Sequence, residues 1–463
     1  MNRRLLAALA TVALLAAPLA TAASAGRPGP PRFAVTVFRG AGGEPNVSVS
    51  PNGRIVLVDG LGGGGPNQPA DLFRSIDGGR HFVNIRPYFQ HVGGGDWDMR
   101  WLDDHTVIAV DLSLGTGIYI HRSTDGGLHW TDAVISEDVY DRPWLTTFGS
   151  RLVYVVTKGF DGIPYLYTSH DGGQSFGPVP VPIYGDGVVP AEAGGTSPTP
   201  VEALVTNQNA YVDHVATDPR TGQLYVLYGI DGPETYSAAN PVGVPDRLYV
   251  AVLAPGLAGG HFVSHPVYVG GSGDGFIDGF NWLTVAPNGT LYVLGNGLHA
   301  GHQSAWLWVS TDHALHWSRP ADLGLAGGNN VYAAIAATSV RGTLGLVYLH
   351  GPASGPNTAQ PWSAEAGYVV HADSAHPVVA VVRPLPLPVH LLDICMSGIL
   401  CGVPGFGNNR NLLDYIWTAV GPDGRGFSAV SSDGPATGSN GNRVDVVLFR
   451  QTSGPLLGAG VPD

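Results

Sequence analysis

Lysine is almost missing from this chain. Lys158 is the only one, charged residues make up 13% of the sequence, and the net charge is -13 with histidine neutral. No long run of one sign occurs, which excludes the basic footprint that nucleic acid or an anionic membrane surface requires. Cysteine is scarce as well: Cys395 and Cys401 are the only two. They are too few for a disulfide-rich scaffold and offer a poor donor set for a metal, so a local disulfide is the leading reading. Closing so short a loop pins that loop and little else. Beyond the N-terminal leader no apolar run approaches the roughly 18 residues that a membrane-spanning helix needs. Helical periodicity is almost absent. Several enzyme signatures are missing too: no G-x-S-x-G elbow, H-E-x-x-H pair, P-loop or dinucleotide fingerprint stands in a strand-to-helix context, so no cofactor and no metal is expected.

What is present begins with a leader. Arg3 and Arg4 precede the apolar run Leu5 to Leu19, and Ala23-Ser24-Ala25 follows before Gly26. This charged, apolar and small-residue order is that of a secretory signal peptide, with cleavage expected after Ala25. No later cysteine adjoins the cleavage site for lipid attachment. Losing two arginines moves the net charge to about -15, and the remaining chain of about 438 residues is expected to be exported, soluble and monomeric.

Glycine (67) and proline (37) exceed a fifth of the chain, yet tyrosine, valine and tryptophan runs alternate with them, which reads as strand and turn rather than disorder. One unit recurs: a strand, a tight turn and a second strand. It runs from Asn46 through Asn52-Gly53 to Val58, and from Trp282 through Asn288-Gly289 to Leu294. The same shape returns at Trp101 to Val110, Trp144 to Val156, His214 to Tyr228, Ala334 to Tyr348 and Trp417 to Val430, making seven units. Asn-Gly supplies the positive φ angles of a hairpin turn. A second element follows four of these units: Ser75-x-Asp77-x-Gly79 to Phe82, Ser123-x-Asp125-x-Gly127 to Trp130, Ser169-x-Asp171-x-Gly173 to Phe176, and Ser310-x-Asp312 to Trp317, the last without its glycines. The serine and aspartate can bond backbone amides across the turn, and the aromatic can pack beneath it. His81, His129 and His316 sit inside these turns and are expected to be exposed.

This second element resembles the Asp box, or BNR repeat, of bacterial sialidases. The resemblance covers nearly the whole chain after residue 25 and implies an all-β fold, a β-propeller of four-stranded antiparallel blades. Counting both elements gives seven blades, with the six of sialidases as the alternative. A single propeller domain is expected over residues 26–463, with insertions at about 184–209, 351–366 and 378–411. The first strand after Pro31, Phe33 to Phe38, is expected to close the ring by pairing beside the C-terminal strand.

Before each first strand stands an acid or amide: Glu44, Asp98, Asp141, Asp213, Asp278, Asn330 and Asp414. Two readings are open. These residues bond backbone amides between blades, or they ring one channel mouth and there bind a ligand or carry acid and base chemistry. Tyr140-Asp141-Arg142-Pro143-Trp144 is the richest spot, with Arg142 suited to a carboxylate and Trp144 to a sugar face. Similar segments occur in exported Asp-box proteins. Asp141, Arg142 and Asp98 are the catalytic candidates, and Trp144 joins the acids as a ligand-binding candidate. Trp97, Trp101, Trp282 and Trp306 read equally as core. Active sialidases clamp the substrate carboxylate with three arginines, the first in an Arg-Ile-Pro segment; here Glu44-Pro45-Asn46 occupies that stretch and would repel a carboxylate. Arg142, Arg247, Arg410 and Arg443 remain for a different basic site. The segment from Asp393 through both cysteines to Asp414-Tyr415 looks like a feature of exported sialidase-like proteins, and physically it is a pinned loop that delivers Asp414 to the last inner strand. Three functions are open: binding a glycan or other extracellular ligand at the channel mouth, exo-acting sialidase or related glycoside hydrolysis with two carboxylates and a cationic clamp, or a protein-interaction scaffold that works through its loops.

Overall fold

The computed structural model describes residues 29–61, 71–85, 95–113, 117–136, 141–158, 164–177, 181–183, 210–230, 245–253, 262–271, 273–277, 279–353, 358–396, 401 and 409–460. Strands built from continuous apolar runs take the middle of each sheet, because neighbouring sheets cover both of their faces. Leu224–Ile230 is buried at every position. Outermost strands show the alternation of a half-exposed surface, as in Phe262–Val269.

Seven antiparallel sheets result. Blade I comprises Val47–Val49, Val56–Gly60, Asp71–Ser75 and Val83–Asn84; blade II, Gly95–Trp101, Val107–Ser113, Gly117–Ser123 and Thr131–Ser136. Blade III comprises Asp141–Phe148, Leu152–Lys158, Pro164–Ser169 and Val181–Pro182; blade IV, Ala210–Thr217, Leu224–Ile230, Arg247–Leu253 and Phe262–Val269. In blade V the innermost position is split between Gly275–Phe276 and Trp282–Val285, both paired to Leu291–His299, and His302–Ser310 and Ala321–Asp322 follow. Blade VI comprises Asn329–Ala337, Leu344–Gly351, Ser363–Val370 and Val378–Val382. Blade VII comprises Trp417–Val420, Gly426–Ser432 and Asp445–Ser453, and its outermost strand is Arg32–Phe38 from the other end of the chain. The innermost strands touch their neighbours in one unbroken cycle, so the protein is a seven-bladed β-propeller and not the six-bladed alternative.

Two of the expected insertions are shorter than the sequence suggests. Val378–Val382 is the outer strand of blade VI, and Ser363–Val370 is that blade's third strand. Their apolar residues pair in the ladder instead of looping out. The leader at 1–25 and the segment 184–209 lie outside the described residues.

The four Ser-x-Asp turns share one geometry. Each serine Oγ accepts the amide four residues on, at 2.9 to 3.0 Å from Gly79, Gly127, Gly173 and Ala314. Each aspartate accepts amides further along its turn, as Asp77 does from Arg80 and His81 at 3.0 Å. The His81 and Ser175 side chains bond Asp77 and Asp171 and hold these carboxyls well below the usual carboxylate range. His81, His129 and His316 are exposed. In the fourth turn His313 and Ala314 take the positive φ of +63° and +70° that paired glycines supply elsewhere.

Arg32–Phe38 closes the ring by pairing with Asp445–Ser453 from Arg32 opposite Ser453 to Phe38 opposite Val446. Phe38 extends this closure into blade I, stacking on Phe73 at 4.3 Å and edge-on to Phe82 at 5.1 Å.

Polar groups join the blades nearer the axis. Asp98 of blade II accepts the Leu145 amide of blade III at 2.8 Å, and Asp213 of blade IV accepts the backbone and side-chain amides of Asn281 in blade V at 3.2 and 2.8 Å. Asn296 of blade V accepts the Ala333 amide of blade VI at 2.6 Å. These bonds satisfy strand amides that no ladder reaches. Burial pushes the Asp213 carboxyl up to about 8, although the Asn281 bonds act in the opposite direction. Its Oδ1 takes both Asn281 bonds.

Two stability predictions follow from these joints. Phe38→Ala is expected to cost about 3 kcal/mol, the usual range for an aromatic truncated in a core; an unchanged denaturant midpoint would show that the ring closes without this contact. Asp213 binds a proton more tightly folded than unfolded, so its contribution is fullest below about pH 4 and is lost as pH rises to about 8. The slope for one such group reaches at most about 1.4 kcal/mol per pH unit. Asp213→Asn keeps the Oδ1 acceptor and removes the titration, so its melting temperature is expected to fall less than that of the wild type between pH 5 and 8. Parallel melting curves for the two proteins would refute the assignment.

Candidate functional site

Chain geometry at the start of the innermost strands builds the site. Blades I, II, III, V, VI and VII each reach that strand through a left-handed residue: Glu44 (φ +50°), Asp96 (+56°), Arg142 (+45°), Gly279 (+79°), Tyr332 (+52°) and Leu413 (+62°). Five of these are not glycine, and each such conformation costs about 1–2 kcal/mol. In blades II, III and VI the ladder shifts register at the same place, between Gly95 and Asp98, Asp141 and Trp144, and Val331 and Ala334. A bulge of this kind re-aims side chains.

The re-aimed side chains gather at one end of the axis. The Arg142 guanidinium lies 3.9 Å from the Trp144 ring centre and 4.2 Å from that of Tyr415. Its Nη1 donates to the Asp96 carbonyl at 2.7 Å and stands 4.0 Å from the Asp96 carboxylate. Arg410 grips Asp414 through both Nε and Nη2. The Asp414 amide donates to Glu44 Oε1 at 3.2 Å, which joins blade VII to blade I. Tyr332 donates to the Cys395 carbonyl at 3.1 Å, so Cys395, which is disulfide-bonded to Cys401, is held at this end. The Cys395 amide donates in turn to the Asn409 carbonyl at 2.9 Å, one residue before Arg410.

Electrostatics divide the cluster into two layers. Glu44, Arg142, Asp414, Tyr332 and Tyr415 are buried, whereas the Arg410 side chain is 33% exposed and that of Asp96 12%. Burial, then the neighbouring Asp96 and Asp414 carboxylates, push the Glu44 acid well above the ordinary range, only partly opposed by Arg410 and Arg142. Glu44 therefore holds its proton more tightly than an ordinary carboxyl does. Burial opposes the charge on Arg142, but Tyr415, Asp96, Asp98 and Glu44 outweigh it and hold the guanidinium cationic.

Beneath this cluster the axis is filled by rings. His214 lies 4.5 Å from Trp144 and 4.8 Å from Trp282, and Trp282 meets Trp417 edge-on at 4.6 Å. All four are buried. Burial, then Arg100 and Arg142, hold the His214 ring well below its ordinary pKa, so it is neutral. Arg100, paired with Asp98, stands over Trp417, 5.4 Å from its ring centre.

The expected residues separate on this geometry. Glu44, Arg142 and Asp414 meet at the mouth. Asp98 and Asp213 are fully buried and bond the next blade, and Asn330 bonds Ser304, His350 and the Leu325 backbone. The Asp141 backbone pairs with Lys158 at the start of blade III, while its side chain and the whole of Asp278 lie outside what is described. Trp144 departs from expectation: it is fully buried, with Arg142 over its face, so it packs the axis instead of offering a platform to a sugar. Arg247 pairs with Asp246 and Arg443 with Asp445, leaving Arg142 and Arg410 as the two arginines of that set whose charge reaches Glu44. Asp96, Tyr332 and Tyr415 were not singled out as site residues in the sequence. Asp96 stands two residues before Asp98, where the spacing of Glu44 to Asn46 and Arg142 to Trp144 marks it in retrospect.

No protein family matches the chain, and no curated protein is similar to it in sequence. Solved structures do resemble it. An ulvan lyase, described as a new family of polysaccharide lyase, is 9% identical with a TM-score of 0.54, over 92% of this chain and 97% of that one. An α-L-arabinofuranosidase from Fusarium graminearum is 13% identical, covering 77% and 98% of the two chains, with a TM-score of 0.46. An α-L-arabinanase from Penicillium chrysogenum is 14% identical, covering 78% and 100%, with a TM-score of 0.43. At such identities the likeness to the ulvan lyase is one of fold alone, across nearly the full length of both chains.

Proposed function

We propose that this protein is an exported carbohydrate-binding propeller whose site is the end of the axis where the innermost strands begin. The observation that carries the reading is the convergence of Arg142 and Arg410, three acids and two tyrosines from blades I, II, III, VI and VII on that one end. In this reading Asp96 and Arg410 form the layer that meets the ligand. A carboxylate accepts paired sugar hydroxyls and a guanidinium donates to them, each with charge-assisted bonds. Glu44, Arg142 and Asp414 form the rigid layer below, which holds the outer pair in place. The fold shared with a polysaccharide lyase is compatible with a carbohydrate ligand. The leader, the disulfide and the Asp-box resemblance of the Ser-x-Asp turns fit an exported protein of the sialidase-like kind.

Glycoside hydrolysis is the second reading, favoured by Glu44, whose acid is pushed above the ordinary range by burial and then by the neighbouring Asp96 and Asp414. A protonated carboxyl beside a carboxylate is the pairing that general acid catalysis on a glycosidic bond uses.

A glycan array with the protein lacking residues 1–25 tests binding. Asp96→Asn and Arg410→Lys, the latter keeping a cation beside Asp414, are each expected to weaken the strongest signal by about tenfold, the loss of one charge-assisted bond, while melting within a few degrees of the wild type. Equal binding by all three proteins would remove the site from this end of the axis. A panel of fluorogenic glycosides, sialosides included, tests hydrolysis. Turnover that Glu44→Gln abolishes, with binding retained, is expected if the second reading holds; a flat panel overturns it.

A further inference from the structure

On the opposite face, where the innermost strands end, one inter-blade joint departs from a repeated pattern. Arg74 in the third strand of blade I donates its Nε to the Gly126 carbonyl in the turn of blade II at 2.6 Å. Arg122, one blade on, does the same to Gly172 of blade III at 3.0 Å. The register identifies the counterpart in blade VII: Arg74 pairs with Leu57, Arg122 with Ile108 and Arg450 with Phe427, each on the strand next inward. Arg450 does not complete the pattern. Its Nε is buried and finds no hydrogen-bond partner among the described residues.

A cavity of about 290 Å3 opens at that seam instead, lined by Arg54 and Arg80 of blade I and by Arg425 and Arg450 of blade VII, with Phe427 and Ile76 as apolar walls. Two acids share the lining, and both are occupied. Asp77 is held by Ser75, by the amides of Arg80 and His81 and by the His81 ring, and Asp423 is paired with Arg425. The four arginines thus exceed the acids by two charges in a chain whose net charge is -13. Burial, followed by repulsion from Arg80 and Arg425, lowers the Arg450 pKa, the mark of a guanidinium short of negative charge.

We propose that this groove between blades I and VII binds a tetrahedral oxyanion, the sulfate or phosphate of a monoester. Guanidinium groups arriving from two blades suit an anion with acceptor oxygens in several directions, where a planar carboxylate is satisfied by a single bidentate arginine. Such an anion accepts from Arg450 in place of the Gly78 carbonyl, the blade I counterpart of Gly126 and Gly172, which Arg450 Nε does not reach, and it bridges the first blade to the last. It therefore binds across the joint that closes the ring. This site is independent of the carbohydrate reading of the opposite face.

Calorimetric titration of the protein lacking residues 1–25 with sodium sulfate and with sodium phosphate, at matched ionic strength, tests the proposal, with sodium acetate as the planar control. Saturable binding at roughly millimolar concentration, accompanied by a rise in melting temperature that also saturates, is expected for at least one of the two tetrahedral anions. Galactose 6-sulfate and glucose 6-phosphate then distinguish the sources, and the tighter of the two names the ester. Arg54 and Arg80 are exposed, so the double variant Arg54→Ala, Arg80→Ala is expected to fold and to bind at least about tenfold more weakly. Arg450→Gln is expected to abolish binding. Absence of saturable heat with either anion overturns the proposal. So does a melting temperature that rises linearly with sulfate and equally in the double variant, because that is the signature of salt exclusion from the whole surface.

Discussion

The structure depends on how polar groups near the axis satisfy the amides of innermost strands that have no ladder partner on the channel side. Asp98, Asp213 and Asn296 each reach into the next blade and accept an amide there. Buried amides left without acceptors would cost about 1–3 kcal/mol apiece. The same chain geometry that meets this constraint, a left-handed residue followed by an extended strand, turns Glu44, Asp96, Arg142 and Tyr332 toward one end of the axis. The fold and the candidate site are in this sense one feature.

Charge balance at that end is local. Arg410 and Asp414 pair directly, Arg142 is held between two aromatic rings and Asp96, and the Glu44 acid is pushed above the ordinary range by burial and then by its acidic neighbours. The interior rings below require it. A plug of Trp144, His214, Trp282 and Trp417 is a low-dielectric floor, against which any unpaired charge is expensive. His214 is neutral for the same reason. The axis is consequently a packed core with a polar cap.

The blade count and the hairpin units were legible in the sequence because they follow from local rules: Asn-Gly turns, alternating or continuous apolar runs, and the Ser-x-Asp turn. The role of Phe33 to Phe38 in closing the ring was legible too, since a terminal strand in a closed sheet has one open edge available to it. Trp144 was not. Its neighbours on the axis come from blades IV, V and VII, as far as 273 positions away in the chain at Trp417, and burial by such partners leaves no periodic trace. Asp96 was missed for a related reason: it stands on a bulge, and bulges shift the register on which alternation arguments rest.

Sequence alone determined the repeating antiparallel hairpins, because turn chemistry and side-chain periodicity act over a few residues and repeat with each blade, and the Asp-box resemblance implied their arrangement in a ring. It also set the charge balance, one lysine and a net charge of -13. Only the tertiary structure decided which acids are joints alone and which also gather at the mouth, because Asp98 and Glu44 look alike, and each accepts a backbone amide of an adjoining blade, until Asp96 and Asp414 are brought beside Glu44. It likewise decided that four of the scattered arginines share one groove, since that groove exists only where the two ends of the chain are brought together.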